Sequence, residues 1–169
     1  RTTAAMRSLV RETRVSPAQL VLPVFVRDGL SEPSAIESMP GVVQHTLDSL
    51  RHEAVRAARA GLGGLMLFGV PLDSDKDAAG SCGEEPGSIL NRGLAAVRGE
   101  VGDALVVMAD TCLDEFTSHG HCGVLDAKGR VDNDATLASY VRLAVSQADA
   151  GAQVVLVEGE KCAQALIDS

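Results

Sequence analysis

Short apolar runs alternate along this chain with longer stretches of helical period, and that alternation constrains the fold more than any other feature. Leu20 to Val26, Gly64 to Val70, Ala104 to Leu113 and Gln153 to Val157 read as strands nearly bare of polar side chains. Thr46 to Ala60, Ser88 to Val101 and Asn133 to Ala150 read as helices, with a shorter one at Glu160 to Ile167. A β-α pair repeated along the chain predicts a parallel sheet with right-handed crossovers. Apolar strands agree, because helices cover a parallel sheet. Pro23 interrupts the first run and predicts an irregular strand there. In the first long helix Leu47, Leu50, Ala54, Val55 and Ala58 share a face, Asp48 sits near the start, and Gly61 closes the end. Arg1 to Thr13 reads as an arm with a short helix, and Ser16-Pro17 is a further helix-start signal.

The connections are asymmetric. Asp28 to Val43 and Pro71 to Gly87 are long, glycine- and proline-bearing loops that follow strands, and another follows the third strand. Turns from helix back to strand are short, as at Ala60-Gly61-Leu62 and Ala150-Gly151-Ala152. The elaborate loops therefore gather at the carboxyl ends of the strands, where barrels and open α/β sheets both place their chemistry. No G-x-G-x-x-G follows a strand and no P-loop is present, so nucleotide binding has no support.

The loop after the third strand carries the densest chemistry. It reads Asp110-Thr111-Cys112-Leu113-Asp114-Glu115-Phe116-Thr117-Ser118-His119-Gly120-His121-Cys122-Gly123. Cys112 and Asp114 are two apart, so an extended backbone would point both to one side. A turn at Gly120 can bring Cys122 back to face them. Thiolates favour zinc and softer metals, and a carboxylate accepts zinc or magnesium. Three protein ligands with one open position is the pattern of a catalytic zinc site. His121 is a candidate fourth ligand, or a donor to one. The same spacing also fits two structural thiols, Cys112 in a strand and Cys122 in a loop.

Composition narrows the partners. The 169 residues carry a net charge of −8, with no basic cluster, which argues against a nucleic-acid surface. No apolar run approaches the roughly 20 residues of a membrane span. Arg1 to Arg14 lacks the apolar centre of a signal peptide, and the missing initiator Met is expected of a trimmed or incomplete N-terminus. Four scattered cysteines do not form a disulfide framework, so a cytoplasmic location is expected.

The loop resembles the metal loop of the porphobilinogen synthase family, also called δ-aminolevulinic acid dehydratase. Other segments resemble that family in the same order. They include Leu22-Pro23-Val24-Phe25-Val26, Ser38-Met39-Pro40-Gly41-Val42, Leu67-Phe68-Gly69-Val70-Pro71, Lys76-Asp77-Ala78-Ala79-Gly80-Ser81, Asn133-Asp134-Ala135-Thr136-Leu137 and Ser146-Gln147-Ala148-Asp149-Ala150-Gly151-Ala152. The resemblance implies an α/β fold built from parallel (β/α) units of a TIM-type barrel. An arm over residues 1–19 precedes the partial barrel domain of residues 20–169. It implies a homo-oligomer, because the family's arm wraps a neighbouring subunit. The implied reaction joins two 5-aminolevulinate molecules into porphobilinogen with loss of water, a lyase step of heme and porphyrin biosynthesis. Cys112 and Cys122 match the outer two of the family's three zinc cysteines. Asp114 stands at the middle one, so zinc is the implied cofactor with magnesium as the alternative. Asp110 matches the family's active-site aspartate.

The resemblance breaks after the fourth strand. The family continues with more β/α units and two lysines that form Schiff bases, which suits the chemistry because an iminium is a better electron sink than a ketone. Here Lys76, Lys128 and Lys161 are the only lysines, and none matches. A full barrel needs about 250 residues, so this length makes about half of one. Two functions stay open: the metal-loop half of an enzyme that is inactive alone, and a non-catalytic metal-binding half-barrel acting as an assembly module. A half-barrel would expose two sheet edges and one apolar face, so association is expected.

Overall fold

The computed structural model describes residues 2–157. Its strands are β1 (Val21–Arg27), β2 (Ser34–Ala35), β3 (Val43–His45), β4 (Gly64–Val70), β5 (Val106–Thr111) and β6 (Val154–Val157). The helices are α1 (Ala4–Leu9), α2 (Leu47–Arg59), α3 (Ile89–Val101) and α4 (Asn133–Asp149). The short helix expected at Glu160 to Ile167 lies outside the described residues. The strands form one sheet in the order β2-β3-β1-β4-β5-β6, antiparallel between β2 and β3 and parallel elsewhere.

Alternation along the strands sorts side chains onto two faces. Val24 of β1, Leu67 of β4 and Ala109 of β5 stand in one register row, all buried. That face carries the core, in which Leu50 and Ala54 of α2, Leu90, Leu94 and Val97 of α3, and Tyr140 and Leu143 of α4 cluster with it. The opposite row runs through Pro23, Met66, Met108 and Val154. It is partly open, and Val21, Val106, Val154 and Leu156 are each more than a third exposed. Among the described residues helices cover one face of the sheet alone, which is what half of a (β/α)₈ barrel leaves behind.

Local chemistry sets the element ends. Thr46 caps α2 through a reciprocal bond with Ser49, Ser88 caps α3 by accepting from the Asn91 amide, and Asp132 caps α4 by accepting from that of Ala135. Beyond α2, Gly61 takes a φ of +74°, which a side chain would resist. The third apolar run begins two residues before β5, because Leu105 reaches the core from the preceding turn while still outside the strand.

Two short strands inside the loop after β1 were not expected. β3 pairs in parallel with β1 only at Phe25 and Val26, and β2 then pairs with β3. The β1 edge is therefore occupied near its carboxyl end, not open along its length. Pro23 lies below that pairing, where its missing N–H deprives no neighbour of a bond. The arm makes little contact with the rest. Every residue from Thr2 to Leu20 is exposed, including Leu9 at 77%.

β4 and α3 approach each other closely at Gly69. A Cβ added there would meet Leu90 Cβ at 2.5 Å and its backbone Cα and N at 3.0 Å. The obstruction is partly backbone, so relaxation is expensive. Gly69→Ala is expected to destabilise the chain by about 1–3 kcal/mol, in the range of overpacked cores, read as a lower urea midpoint with unchanged slope.

Candidate metal centre

β5 ends at Thr111, so Cys112 and Asp114 are not brought together by an extended strand. A turn does it instead. The amides of Phe116 and Thr117 both donate to the Leu113 carbonyl at 2.9 Å. Leu113 and Phe116 are buried and anchor the turn in the core. Thr117 Oγ1 donates to the His121 carbonyl at 2.9 Å, and Gly120 turns the chain with a φ of +70°. The loop then returns Cys122.

The result is a cluster in which the ligand atoms of Cys112, Asp114 and Cys122 all lie within 4.8 Å of one another. Cys112 is buried, Asp114 half-buried and Cys122 exposed, so one side of the cluster is open. Ligand atoms on a tetrahedral zinc stand roughly 3.6–3.8 Å apart, given bonds of about 2.3 Å to sulfur and 2.1 Å to oxygen. The described positions need only a small contraction to meet that. Asp114 Oδ1 is buried with no hydrogen-bond partner among the described residues. Buried acceptors are nearly always paired, so an unpaired carboxylate oxygen in a residue that converges with two cysteines suits a cation. The donor set fits zinc.

The ionisable groups respond to the enclosure. Burial pushes the Cys112 thiol well above the ordinary cysteine range, and hydrogen bonds shared with the Asp114 and Cys122 side chains push it the same way. The Asp114 amide and the Tyr140 hydroxyl pull against that shift. Burial also raises the Glu115 carboxyl, helped by the neighbouring charge of Asp114 and opposed by Lys76.

His121 lies outside the cluster. Its amide donates to His119 Nδ1 at 3.1 Å, and its ring tilts against that of His119 with centroids 5.4 Å apart. Asp110 is half-buried at the carboxyl end of β5, on the row of Met108 that faces away from the helices. Its carbonyl accepts from Gln147 Nε2 at 2.8 Å.

Sequence reasoning missed what holds the loop from behind. Tyr140, on α4, donates to the Cys122 carbonyl at 2.9 Å and reaches Cys112 Sγ at 3.6 Å. Thr136 Oγ1 accepts from the Val124 amide at 3.0 Å, and Gln147 accepts from Thr111 Oγ1 at 2.6 Å. The available signal was the 136, 140, 143, 147 spacing on α4, which places polar groups on the helix's inner face.

The loop after β4 braces the site from the side. Asp77 forms an isolated parallel bridge with Thr117, and its carbonyl accepts from the Ser118 amide at 2.8 Å. The Asp77 carboxylate accepts from Ser81 Oγ at 2.5 Å and from the amides of Ala79 and Ser81.

A Cys-Asp-Cys group, buried on one side and open on the other, at the carboxyl ends of parallel strands defines the class: a (β/α)-barrel chain with a metal-competent loop. A family model described as delta-aminolevulinic acid dehydratase matches residues 1–159, and the chain belongs to that family. It is 64% identical over 155 residues to the delta-aminolevulinic acid dehydratase of Mycobacterium tuberculosis (strain H37Rv), covering 92% of this chain and 47% of that one. The Streptomyces coelicolor enzyme of the same name is 62% identical over the same shares. The crystal structure of the Toxoplasma gondii ME49 enzyme, in complex with its reaction product porphobilinogen, superposes with a TM-score of 0.86 at 32% identity. That match covers 98% of this chain and 49% of the other. The chain thus spans about half the length of the relatives it matches.

The Asp77 brace makes a pH prediction. The Ser81 hydroxyl first, and the backbone amides after it, hold the Asp77 carboxyl below its ordinary value of 3.8. A group lowered in the folded state adds stability above its unfolded value and loses it as pH falls through the folded one. Thermal midpoints of the wild type should therefore drop below pH 3.8, and Asp77→Asn should lose that component of the drop while starting from a lower midpoint at pH 7.

Proposed function

We propose that this chain supplies the metal-loop half of a porphobilinogen synthase, which condenses two 5-aminolevulinate molecules to porphobilinogen with loss of water. The observation that carries the reading is the convergence of the Cys112, Asp114 and Cys122 ligand atoms within 4.8 Å, with Asp114 Oδ1 buried and unpaired among the described residues. Zinc is the ion the two thiolates favour, with magnesium the weaker alternative. When bound, such an ion supplies Lewis-acid polarisation of a substrate oxygen. The chain's own groups do the rest of the positioning. Cys112 and Asp114 fix the inner side of the site and Cys122 leaves the outer side reachable. Asp110 places a carboxylate at the strand end, where it can orient the cationic amine of 5-aminolevulinate.

Among the described residues the Schiff-base step has no evident carrier. Lys76 is tied to Asp73 at 3.1 Å, and Lys128 sits in an exposed turn. Covalent activation of a ketone by lysine is therefore assigned to parts of the whole enzyme that these residues do not match. A cytoplasmic location belongs to the same reading. Among the described residues no helix is long and apolar enough to cross a membrane.

Calorimetric titration tests the metal. The wild type should bind one zinc, and Cys112→Ala should weaken it by more than about 100-fold, since even outer contacts of a metal site cost 10–100-fold. Asp114→Cys should tighten it, a thiolate replacing a harder oxygen. No uptake by the wild type, or the same affinity in Cys112→Ala, overturns the reading. With zinc and 5-aminolevulinate the chain alone should yield no porphobilinogen colour reaction, and borohydride should trap no adduct on Lys76, Lys128 or Lys161. Turnover with an adduct on any of them would overturn the assignment of the lysine step.

The second reading, an assembly module, draws on the half-covered sheet and the exposed arm, whose Met6, Leu9 and Val15 are all open. We propose a homo-oligomer in which the arm of residues 1–19 packs on a neighbouring copy. Sedimentation at micromolar concentration should show association that weakens in a variant carrying Leu9→Asp and Val15→Asp. A clean wild-type monomer would count against it.

A further inference from the structure

Granted the metal reading above, we infer that Tyr140 is a positioning residue that sets the separation of the two sulfur ligands. The two cysteines arrive by different routes, Cys112 directly from β5 and Cys122 at the end of the returning loop. No backbone ladder joins them. The Tyr140 hydroxyl touches both, with its oxygen 2.9 Å from the Cys122 carbonyl oxygen and 3.6 Å from Cys112 Sγ. It holds one cysteine by its backbone and the other by its sulfur.

The hydroxyl can act as a fixed gauge because the groups behind it are buried and bonded. Tyr140 is 3% exposed and belongs to the core cluster with Leu113 and Leu143. Two turns further along α4, Gln147 is fully buried and bonded to both Asp110 and Thr111 at the end of β5. The helix is thus pinned to the same strand end from which Cys112 departs. Bonds that orient metal ligands fix ligand direction as well as affinity. A phenol on a buried helix does so with little entropy to lose on binding.

Sequence composition supplies a reporter. Tyr140 is the chain's single tyrosine and there is no tryptophan. Its emission, and its absorbance at wavelengths beyond the phenylalanine bands, therefore report this side chain alone. Titrating the wild type with zinc should change the tyrosine signal with the midpoint seen by calorimetry. Tyr140→Phe keeps the ring and removes only the oxygen. It should bind zinc about 10- to 100-fold more weakly, and its cobalt(II)–thiolate charge-transfer band should shift and weaken. Thr136→Val is the control, since it cuts another bond from α4 to the loop, at Val124, without touching a ligand. It should leave zinc affinity and the cobalt spectrum near wild type.

A wild-type tyrosine signal indifferent to zinc uptake would overturn the inference even if Tyr140→Phe does not fold. Wild-type affinity and spectrum in Tyr140→Phe would do the same. Equal losses in Tyr140→Phe and Thr136→Val would also overturn it, by showing that any anchor of the loop suffices. In each of these cases the wild type still binds zinc and the metal reading survives. A wild type that binds neither zinc nor cobalt removes the metal reading, and the inference with it.

Discussion

The inner face of α4 carries hydrogen bonds where most buried helix faces carry only hydrocarbon, and the placement of the helix depends on them. Thr136 receives the Val124 amide, Tyr140 holds Cys122, and Gln147 bonds the end of β5 on both sides of its amide group. Leu143, between them, supplies the apolar contact. Gln147 is fully buried, so its amide is worth keeping only because each end is satisfied. Leaving such a group unpaired costs about 1–3 kcal/mol, more than the bond itself contributes net. The penalty for misplacing α4 is therefore steep, and it falls on the segment that presents Asp110, Cys112 and Cys122. Position is specified by what would go wrong elsewhere.

The principal strands and helices of this fold were legible where periodicity and chain punctuation agree. β4 runs from Gly64 to Val70 as the apolar run predicts, and α2 and α3 begin one residue after the Thr46 and Ser88 that signal their caps. β2 and β3 escaped because strands of two and three residues are too short to show an alternation. The candidate ligands Cys112, Asp114 and Cys122 were visible as residue types in a loop. The expected mechanism of their approach, a shared strand face, was not what the chain uses. A turn closed on Leu113 does the work, and only tertiary burial of Leu113 and Phe116 makes that turn stable. Tyr140 was not picked out at all. A lone phenol on an amphipathic helix reads as core until the structure shows where its oxygen points.

The sheet shows the same division between pattern and context. Parallel strands predict cover on both sides, yet among the described residues no helix covers the row through Met66, Met108 and Val154. Phe25 and Phe68 stack at its carboxyl end with centroids 5.1 Å apart. Asp110 is placed on that same face beyond Met108, so the acidic group stands where apolar packing gives way to loops.

The tight brace between the loops after β4 and β5 has a dynamic consequence. Asp77 and Thr117 form a bridge, Ser118 donates to Asp77, His119 Nε2 lies 3.1 Å from the Ala78 carbonyl oxygen, and Cys82 Sγ sits 3.9 Å from the Phe116 carbonyl oxygen. Two loops tied at so many points open as one cooperative unit and not separately. An ion gripped by the second loop would then slow hydrogen exchange in the first, although the first contributes no ligand to it. Lys76, at the root of the first loop, would share in that quieting. The metal's reach would extend as far as the brace does, well beyond its coordination sphere.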